Sequence, residues 1–521
     1  MQLQRRIGLV GLTFIALSGM LGSGWLFAPH LVAQQAGPAA LVSWIIGGAV
    51  MLLLALTFAE VTAMLPVAGG LARVPYFSHG PLAGVAMGWT AWVGYATTAP
   101  IEVLAMMRYI DSYLPFVHEP GSQSLTPAGQ AFVIALLAVM VLINAWGVAF
   151  FARINTGITW LKLAVPLVVA GAILTVQFEG ANLATPSFSP GGWVGILGGV
   201  STGGVIFAFI GFRHAIDMAG ETRNPQRAIP LALIGSVVLC LGIYGLAQLA
   251  YLGGVPADQL SRGWAEISFD HDYGPFAAIG IGLGMTWLIA VIFAGAVVAP
   301  FGGGLVSTAS NARLALALGQ GGLFPRAIAA LSPRGVPLNG LLFNLAVGAV
   351  MVLVMSFEAL VTLNGAAIVL SFLAGPVALV ALRRQAPEQP RLFRLPMADA
   401  LSAAAFVGAT WTLYWSGWNT TWVLLTALAV GMALFLVMRL RAGGGERLEF
   451  RHIAWLPTFM GGLAVLSYLG NFGGGLGVIP FGWDIVAGAV LGLLSFVHAF
   501  RARLPADAVA SELRGARAVL A

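Results

Sequence analysis

The sequence predicts an all-α polytopic membrane protein, a bundle of about fourteen spans in which the first and sixth are broken near mid-depth. Three observations predict it. Only 8% of the 521 residues are charged and 59% are hydrophobic, against about 25% charged in a soluble domain, which excludes packing in water. Apolar runs of roughly 18 to 28 residues recur along the whole chain, each long enough to cross a bilayer core. Two of them carry glycine-rich interruptions, where a helix in lipid would otherwise keep every backbone group paired.

Span 1, 7–33, follows the short basic lead-in Met1 to Arg6. It is long enough to span and lacks a leader-type cleavage site, so it is expected to remain in the membrane. Its middle reads Ser18-Gly19-Met20-Leu21-Gly22-Ser23-Gly24-Trp25. Span 2 is 38–64, and the Gly/Pro-rich stretch after it, 66–81, could dip partly into the bilayer. Span 3, 82–112, carries Pro100 and then Glu102. Spans 4 and 5 are 130–149 and 154–176, and the latter holds Lys162, the single lysine of the chain. Span 6, 192–219, holds the second interruption, from Gly203-Gly204 through Phe207, Phe209 and Ile210 to Gly211-Phe212. Span 7, 229–252, contains the lone Cys240, which excludes an intrachain disulfide and reads as a small buried residue. Span 8, 284–316, contains Pro300 and Gly302-Gly303-Gly304. Spans 9 to 14 fall at 339–357, 360–383, 398–416, 420–440, 453–470 and 484–502.

Arginine placement sets the orientation. Arg5/Arg6, Arg73, Arg153, Arg223/Arg227, Arg313/Arg326/Arg334, the four arginines of 383–394, Arg439/Arg441/Arg447/Arg451 and Arg501/Arg503 fall on one side. The opposite loops are acidic or neutral, with Asp111, Glu119 and Glu179, and Arg262 is their exception. The positive-inside rule puts both termini in the cytoplasm. The net charge of +6 is therefore a topology signal and not a nucleic-acid footprint.

The two interruptions are five spans apart, so their helices run in opposite directions. Paired breaks of this kind point to an inverted-repeat transporter with its ligand at the breaks. Freed N–H groups attract a carboxylate and freed carbonyls an ammonium, which a zwitterionic amino acid would satisfy together. The competing reading is that the glycines serve close helix packing. Lys162 lies about 9 residues, or roughly 13 Å, into its span. That is too deep for its stem to snorkel out. A desolvated lysine can release its proton, which an arginine cannot. Lys162 is accordingly expected to be a proton-binding group rather than a structural one.

The chain resembles the amino acid–polyamine–organocation transporter superfamily. The resemblance rests on Gly22-Ser23-Gly24 in span 1, and on Phe207 to Phe212 followed by Ala219-Gly220-Glu221-Thr222-Arg223-Asn224-Pro225-Gln226-Arg227 in span 6. Trp44, Glu60, Pro66, Gly69-Gly70, Pro300, Gly302-Gly303-Gly304, Arg313 and Phe324-Pro325 extend it. A narrower similarity is to bacterial aspartate:proton symporters, through residues 70–80, Ile101-Glu102-Val103, Tyr414 to Trp418 and Ser467 to Gly477. The resemblance implies a leucine-transporter-type fold, with spans 1–5 and 6–10 as inverted repeats in a core of 1–383. Residues 384–521 would add spans 11–14 and a cytoplasmic tail. It also implies that Lys162 occupies the place of a sodium ion, against span 1 carbonyls and the Gly302–Ser307 region of span 8.

Other residues carry open alternatives. Arg213 would face the cavity as a fork for a second carboxylate, favouring an acidic substrate, or pair with Asp217 one helical turn on. His214 reads as a packing histidine on a different face. Glu102 is a second proton carrier or a structural hydrogen-bonding partner. Glu60 and Glu221 are expected in gate pairs with Arg73, Arg223 or Arg227. Trp25, Phe207, Phe209 and Phe212 are expected to form an aromatic lid. The substrate-contacting set is then Gly22, Ser23, Gly24, Phe207, Phe209, Ile210 and Arg213, with Lys162 and Glu102 coupling protons.

No phosphate-cradling loop, metal-spaced His/Cys set or catalytic domain is present in the sequence, so no enzyme, cofactor or nucleic-acid partner is expected. The expected partners are a small amino acid, protons and the bilayer, and the sequence sets no oligomeric state. The expectation is proton-coupled import of an acidic amino acid such as L-aspartate. The rivals are an amino acid or polyamine exchanger, a non-transporting sensor and, least of all, a channel.

Overall fold

A computed structural model describes residues 5–110, 113–119, 124–185, 187–267, 274–441 and 448–520, with the side chains at 358, 362 and 514–520 left aside. Asp111 and Arg447 of the loop analysis lie outside the described residues.

The first segment is two helices, α1 (Leu9–Met20) and α2 (Gly24–Ala36). Then come α3 (Ala40–Met64), α4 (Gly70–His79), α5 (Pro81–Ile110), α6 (Pro127–Ala145) and α7 (Val148–Val176). The sixth segment is in pieces: α8 (Gly192–Ser201), α9 (Val205–Phe209), a 3-10 turn (Ile210–Phe212) and α10 (Arg213–Asp217). The chain continues through α11 (Pro225–Gly254), α12 (Pro275–Gly282), α13 (Thr286–Gln320), α14 (Leu338–Val354), α15 (Phe357–Phe372) and α16 (Ala374–Gln385). It ends with α17 (Ala398–Trp415), α18 (Trp418–Arg441), α19 (Trp455–Leu469), α20 (Trp483–Arg501) and α21 (Ala506–Leu520). Among the described residues there is no β-strand, and nine helical stretches are long and apolar enough to cross a membrane. The protein is an all-α, multi-pass membrane protein.

Local chemistry explains the helix ends. Pro127 opens α6 behind Thr126, whose hydroxyl accepts from the Gly129 N–H at 2.9 Å. Two boundaries differ from expectation. The stretch 66–81 contains the helix α4, packed along α5. The lysine-bearing helix begins at Val148, ahead of the expected start, which makes Lys162 its midpoint.

The broken segments lie side by side. α1 packs on Ile210–Phe212 and α10, and α2 packs on α8 and α9, so the two segments run antiparallel. Gly204 has φ +97°, a left-handed turn that other side chains resist, and it starts the second half of its segment. At Gly211 a Cβ would overlap the backbone of Gly19 and Met20, so the crossing itself requires glycine. Around this pair, α13 packs on α5 and α7, and α11 on α3 and α1. The C-terminal helices pack outside: α17 on α3 and α16, α18 on α5 and α15, and α19 with α20.

Candidate functional site

A cavity of about 430 Å³ ends at the two breaks. Its floor is Ser23 and Gly24 from the first and Gly204, Ile206 and Phe207 from the sixth. Its walls come from α5 (Ile101, Arg108), α15 (Phe357, Val361, Gly365) and the end of α17 (Thr412, Ser416). Arg108 and the hydroxyl residues Ser23, Ser201, Thr202, Thr412, Ser416 and Thr420 supply polarity in a mostly apolar lining. The cavity therefore pairs a mostly apolar lining with a few convergent polar groups, as small-molecule sites do.

Two charged side chains are clamped beneath the floor. The Ser23 N–H donates to Glu102 Oε2 at 3.0 Å. The Lys162 ammonium donates to the Ser18 carbonyl and reaches Ser18 Oγ at 3.2 Å. Both are buried. The fit depends on missing side chains. A Cβ at Gly22 would overlap the Glu102 carboxylate. On α13, a Cβ at Gly303 would lie 3.0 Å from Glu102 Oε1, and one at Gly302 would lie 3.1 Å from Lys162 Nζ. Consecutive glycines of α13 thus press the acid and the base against the broken first segment. This is the placement of Lys162 that the resemblance implied, between span 1 carbonyls and the Gly302 region.

The family profile described as amino acid permease matches residues 7–451. The chain belongs to the amino acid permease family. The permease is 35% identical over 513 residues to the glutamate/serine transporter AimA of Bacillus subtilis (strain 168), covering 96% of this chain and 94% of that one. It is 33% identical over 511 residues to the aspartate-proton symporter of the same organism, covering 97% and 98%. A more distant relative, the branched-chain amino acid permease BcaP, is 25% identical over 448 residues, covering 84% and 93%. The permease is a membrane transporter and not an enzyme. Among its described residues no three His, Cys, Asp or Glu side chains come together as a metal site requires.

Only part of the expected substrate set reaches the cavity of the permease. Ser23, Gly24 and Phe207 line it, while Gly22 is covered by Glu102. Phe209 is buried between Trp44 (5.9 Å) and Tyr244 (5.4 Å), and Ile210 is buried in the 3-10 turn. Arg213 does not line the cavity. It is buried with Cζ 4.0 Å over the Tyr95 ring, and its Nη2 donates to Thr98 Oγ1 at 3.1 Å. The Tyr95 hydroxyl donates to the Asp217 carboxylate. Arg213 and Asp217 are therefore linked through Tyr95, and no direct ion pair joins them among the described residues. Arg213 opens α10, which packs on α1, α13, α11 and α4, and only its long side chain reaches across to Tyr95 and Thr98 of α5. The expected four-ring lid is also absent: Trp25 packs on Phe276 at 5.7 Å, Phe212 stacks on Phe372 at 4.9 Å, and only Phe207 faces the cavity.

His214 bonds Ser310 Oγ at 2.9 Å, the packing role expected of it, and its ring lies 5.3 Å from the Tyr95 ring that also carries Arg213. Sequence reasoning missed two residues. Arg108 lines the cavity, stacked 4.0 Å over Phe357; an arginine at the arginine-poor end of span 3 was the available signal. The Tyr244 hydroxyl reaches the Met20 carbonyl at 2.7 Å and the Ala208 carbonyl at 3.2 Å, bridging both breaks.

The end of the permease carrying the N-terminus is closed by ion pairs with partners other than those expected. Glu221 is held by Arg313 at 3.0 Å, both buried, while the Ile7 N–H donates to the Glu221 backbone carbonyl at 2.9 Å. Glu60 is held by Arg383 at 2.6 Å and Arg391 at 3.4 Å, and accepts the Leu395 N–H at 2.7 Å. Arg73 instead lies over Tyr76 and Phe77. Neighbours in sequence were expected; the tertiary fold brings distant arginines closer.

Proposed function

We propose that this permease imports an acidic amino acid such as L-aspartate together with a proton. It does so as a fourteen-span inner-membrane protein with cytoplasmic termini and repeats at spans 1–5 and 6–10 of a 1–383 core. Residues 384–521 add the outer spans. The observation that carries the reading is the Glu102 carboxylate on the Ser23 N–H, at the floor of the cavity. That amide is the one a substrate α-carboxylate needs. While Glu102 is ionised it holds the amide, and a second carboxylate there would meet like charge. Once Glu102 is protonated the amide is released to the substrate. One negative charge replaces another, and the proton enters with the substrate. The substrate amino group would meet span 6 carbonyls around Phe207.

Lys162 holds the other end of the same clamp through Ser18. Its deprotonation would loosen α1 from α7 and open the inner side. Arg108, in place of Arg213, would receive the side-chain carboxylate by a charge-assisted bond. The names of the two long relatives, a glutamate/serine transporter and an aspartate-proton symporter, support an acidic substrate and proton coupling.

The test is uptake of labelled L-aspartate into proteoliposomes with and without an inward proton gradient, for the wild type and Glu102→Gln. Gradient-driven accumulation by the wild type, with counterflow but no accumulation by the variant, is expected. Wild-type uptake that ignores the gradient and requires internal amino acid would replace symport with exchange.

A further inference from the structure

A second cavity, of about 520 Å³, lies among the arginines of the C-terminal helices and shares no lining residue with the first. Three separate chain segments build it: the end of α16 with Arg384, the turn before α19 with Arg451 and His452, and the end of α20 with His498, Arg501 and Arg503. Four guanidinium groups and two imidazoles converge on one hollow. Acidic compensation is partial. Arg384 meets Asp399 at 2.8 Å and Arg451 meets Glu449 at 3.0 Å, both pairs at least two-fifths exposed and so readily exchanged. Hydrogen bonding from His452 and then Arg451 holds the Glu449 carboxyl below its usual range. Arg501 and Arg503 have no acidic partner among the described residues. Arg503 is instead fixed by stacking 4.1 Å over Phe500 and by donating to the Phe500 carbonyl at 2.8 Å. His452 accordingly anchors the turn before α19, with its Nε2 at 2.8 Å from Glu449.

We propose that this hollow binds a phosphate-bearing anion. Guanidinium forks match the geometry of phosphate oxygens, which offer several acceptors and up to two charges. Basic pockets between membrane helices at this level receive anionic lipid headgroups, and a free phosphate compound offers the same chemistry. Because Arg384 belongs to α16 while Arg451 lies in the turn before α19 and Arg501 at the end of α20, the bound anion clamps the C-terminal helices to α16, next to the Arg383–Glu60 pair.

The test uses the full chain and two probes. Cardiolipin retention is measured in nanodiscs against phosphatidylcholine. Pyrophosphate is titrated into detergent-solubilised protein, reading the melting temperature. The double variant Arg451→Gln/Arg501→Gln removes two exposed arginines, and Arg439→Gln/Arg441→Gln is the charge-matched control at the end of α18. The expected result is about a thirtyfold loss of affinity in the double variant and about fivefold in Arg501→Gln alone, with the control unchanged. Loss confined to cardiolipin identifies a lipid ligand, and loss confined to pyrophosphate identifies a soluble one. If neither probe binds the wild type, or if the control weakens binding as much as the double variant, the site is overturned. Arg501→Gln alone decides the matter if the double variant does not elute as a single species.

Discussion

The breaks in the first and sixth segments share a backbone origin, small residues at mid-helix, but they are filled by different chemistry. At the first, the freed groups are taken by full charges: Glu102 on the Ser23 N–H and Lys162 on the Ser18 carbonyl. At the sixth there is no such charge: the neutral Tyr244 hydroxyl, which also reaches the Met20 carbonyl of the first break at 2.7 Å, approaches the Ala208 carbonyl at 3.2 Å, and a 3-10 turn satisfies the next residues internally. Arg213, the cation nearest to this second break in sequence, turns away to Tyr95 and Thr98. A charged filling can change its hold on the backbone when a proton moves, whereas a neutral hydroxyl cannot near neutral pH. On the proposed reading, the first break carries the coupling charges and the amide for the substrate carboxylate, and the second offers carbonyls to its amino group.

Removing the charge from the first break is the strongest way to break this comparison. Lys162→Ala leaves buried groups of α1 and Glu102 without their cation, a loss of about 3–5 kcal/mol. Proton-driven uptake in proteoliposomes should fall by two orders of magnitude or more, and activity near wild type would remove Lys162 from the mechanism. Glu102→Gln should flatten the pH profile. Wild-type uptake is expected to rise as external pH falls, because the protonated acid frees the Ser23 amide, and the glutamine cannot ionise to block it again.

Arg108→Gln comes next. One charge-assisted bond is worth about 1.5–3 kcal/mol, so KM for aspartate should rise roughly tenfold to a hundredfold while KM for serine changes little. An equal rise for both would assign Arg108 to shape and not to the side-chain carboxylate. Gly303→Ala places a methyl 3.0 Å from Glu102 Oε1 and should cost about tenfold in uptake, within the range of 1–3 kcal/mol for overpacking. The smallest effect is expected for Tyr244→Phe, which removes one neutral hydroxyl shared by two carbonyls. A loss of about 1 kcal/mol, or a few-fold in uptake with unchanged pH dependence, is expected. A flattened pH profile in this variant would erase the distinction between the breaks.

Much of this protein was legible in the amino-acid sequence because lipid imposes one-dimensional rules. Apolar run length located the helices, since every backbone group in a bilayer must pair within its own segment. Glycine clusters marked both breaks, and a single lysine among arginines marked the buried base. The partners were not legible. Glu60 and Glu221 choose Arg383 and Arg313, hundreds or tens of residues away, and Arg213 lies on Tyr95 and Thr98 instead of in the cavity. Glu102 was visible as an intramembrane acid, but its seat on the Ser23 amide exists only because Gly22 and Gly303 let three helices close around it. Sequence by itself determined which residues lie at depth and which cannot be apolar filler. Tertiary structure alone decided which of them meet, because azimuth and close approach depend on how helices pack, and no period along the chain encodes that.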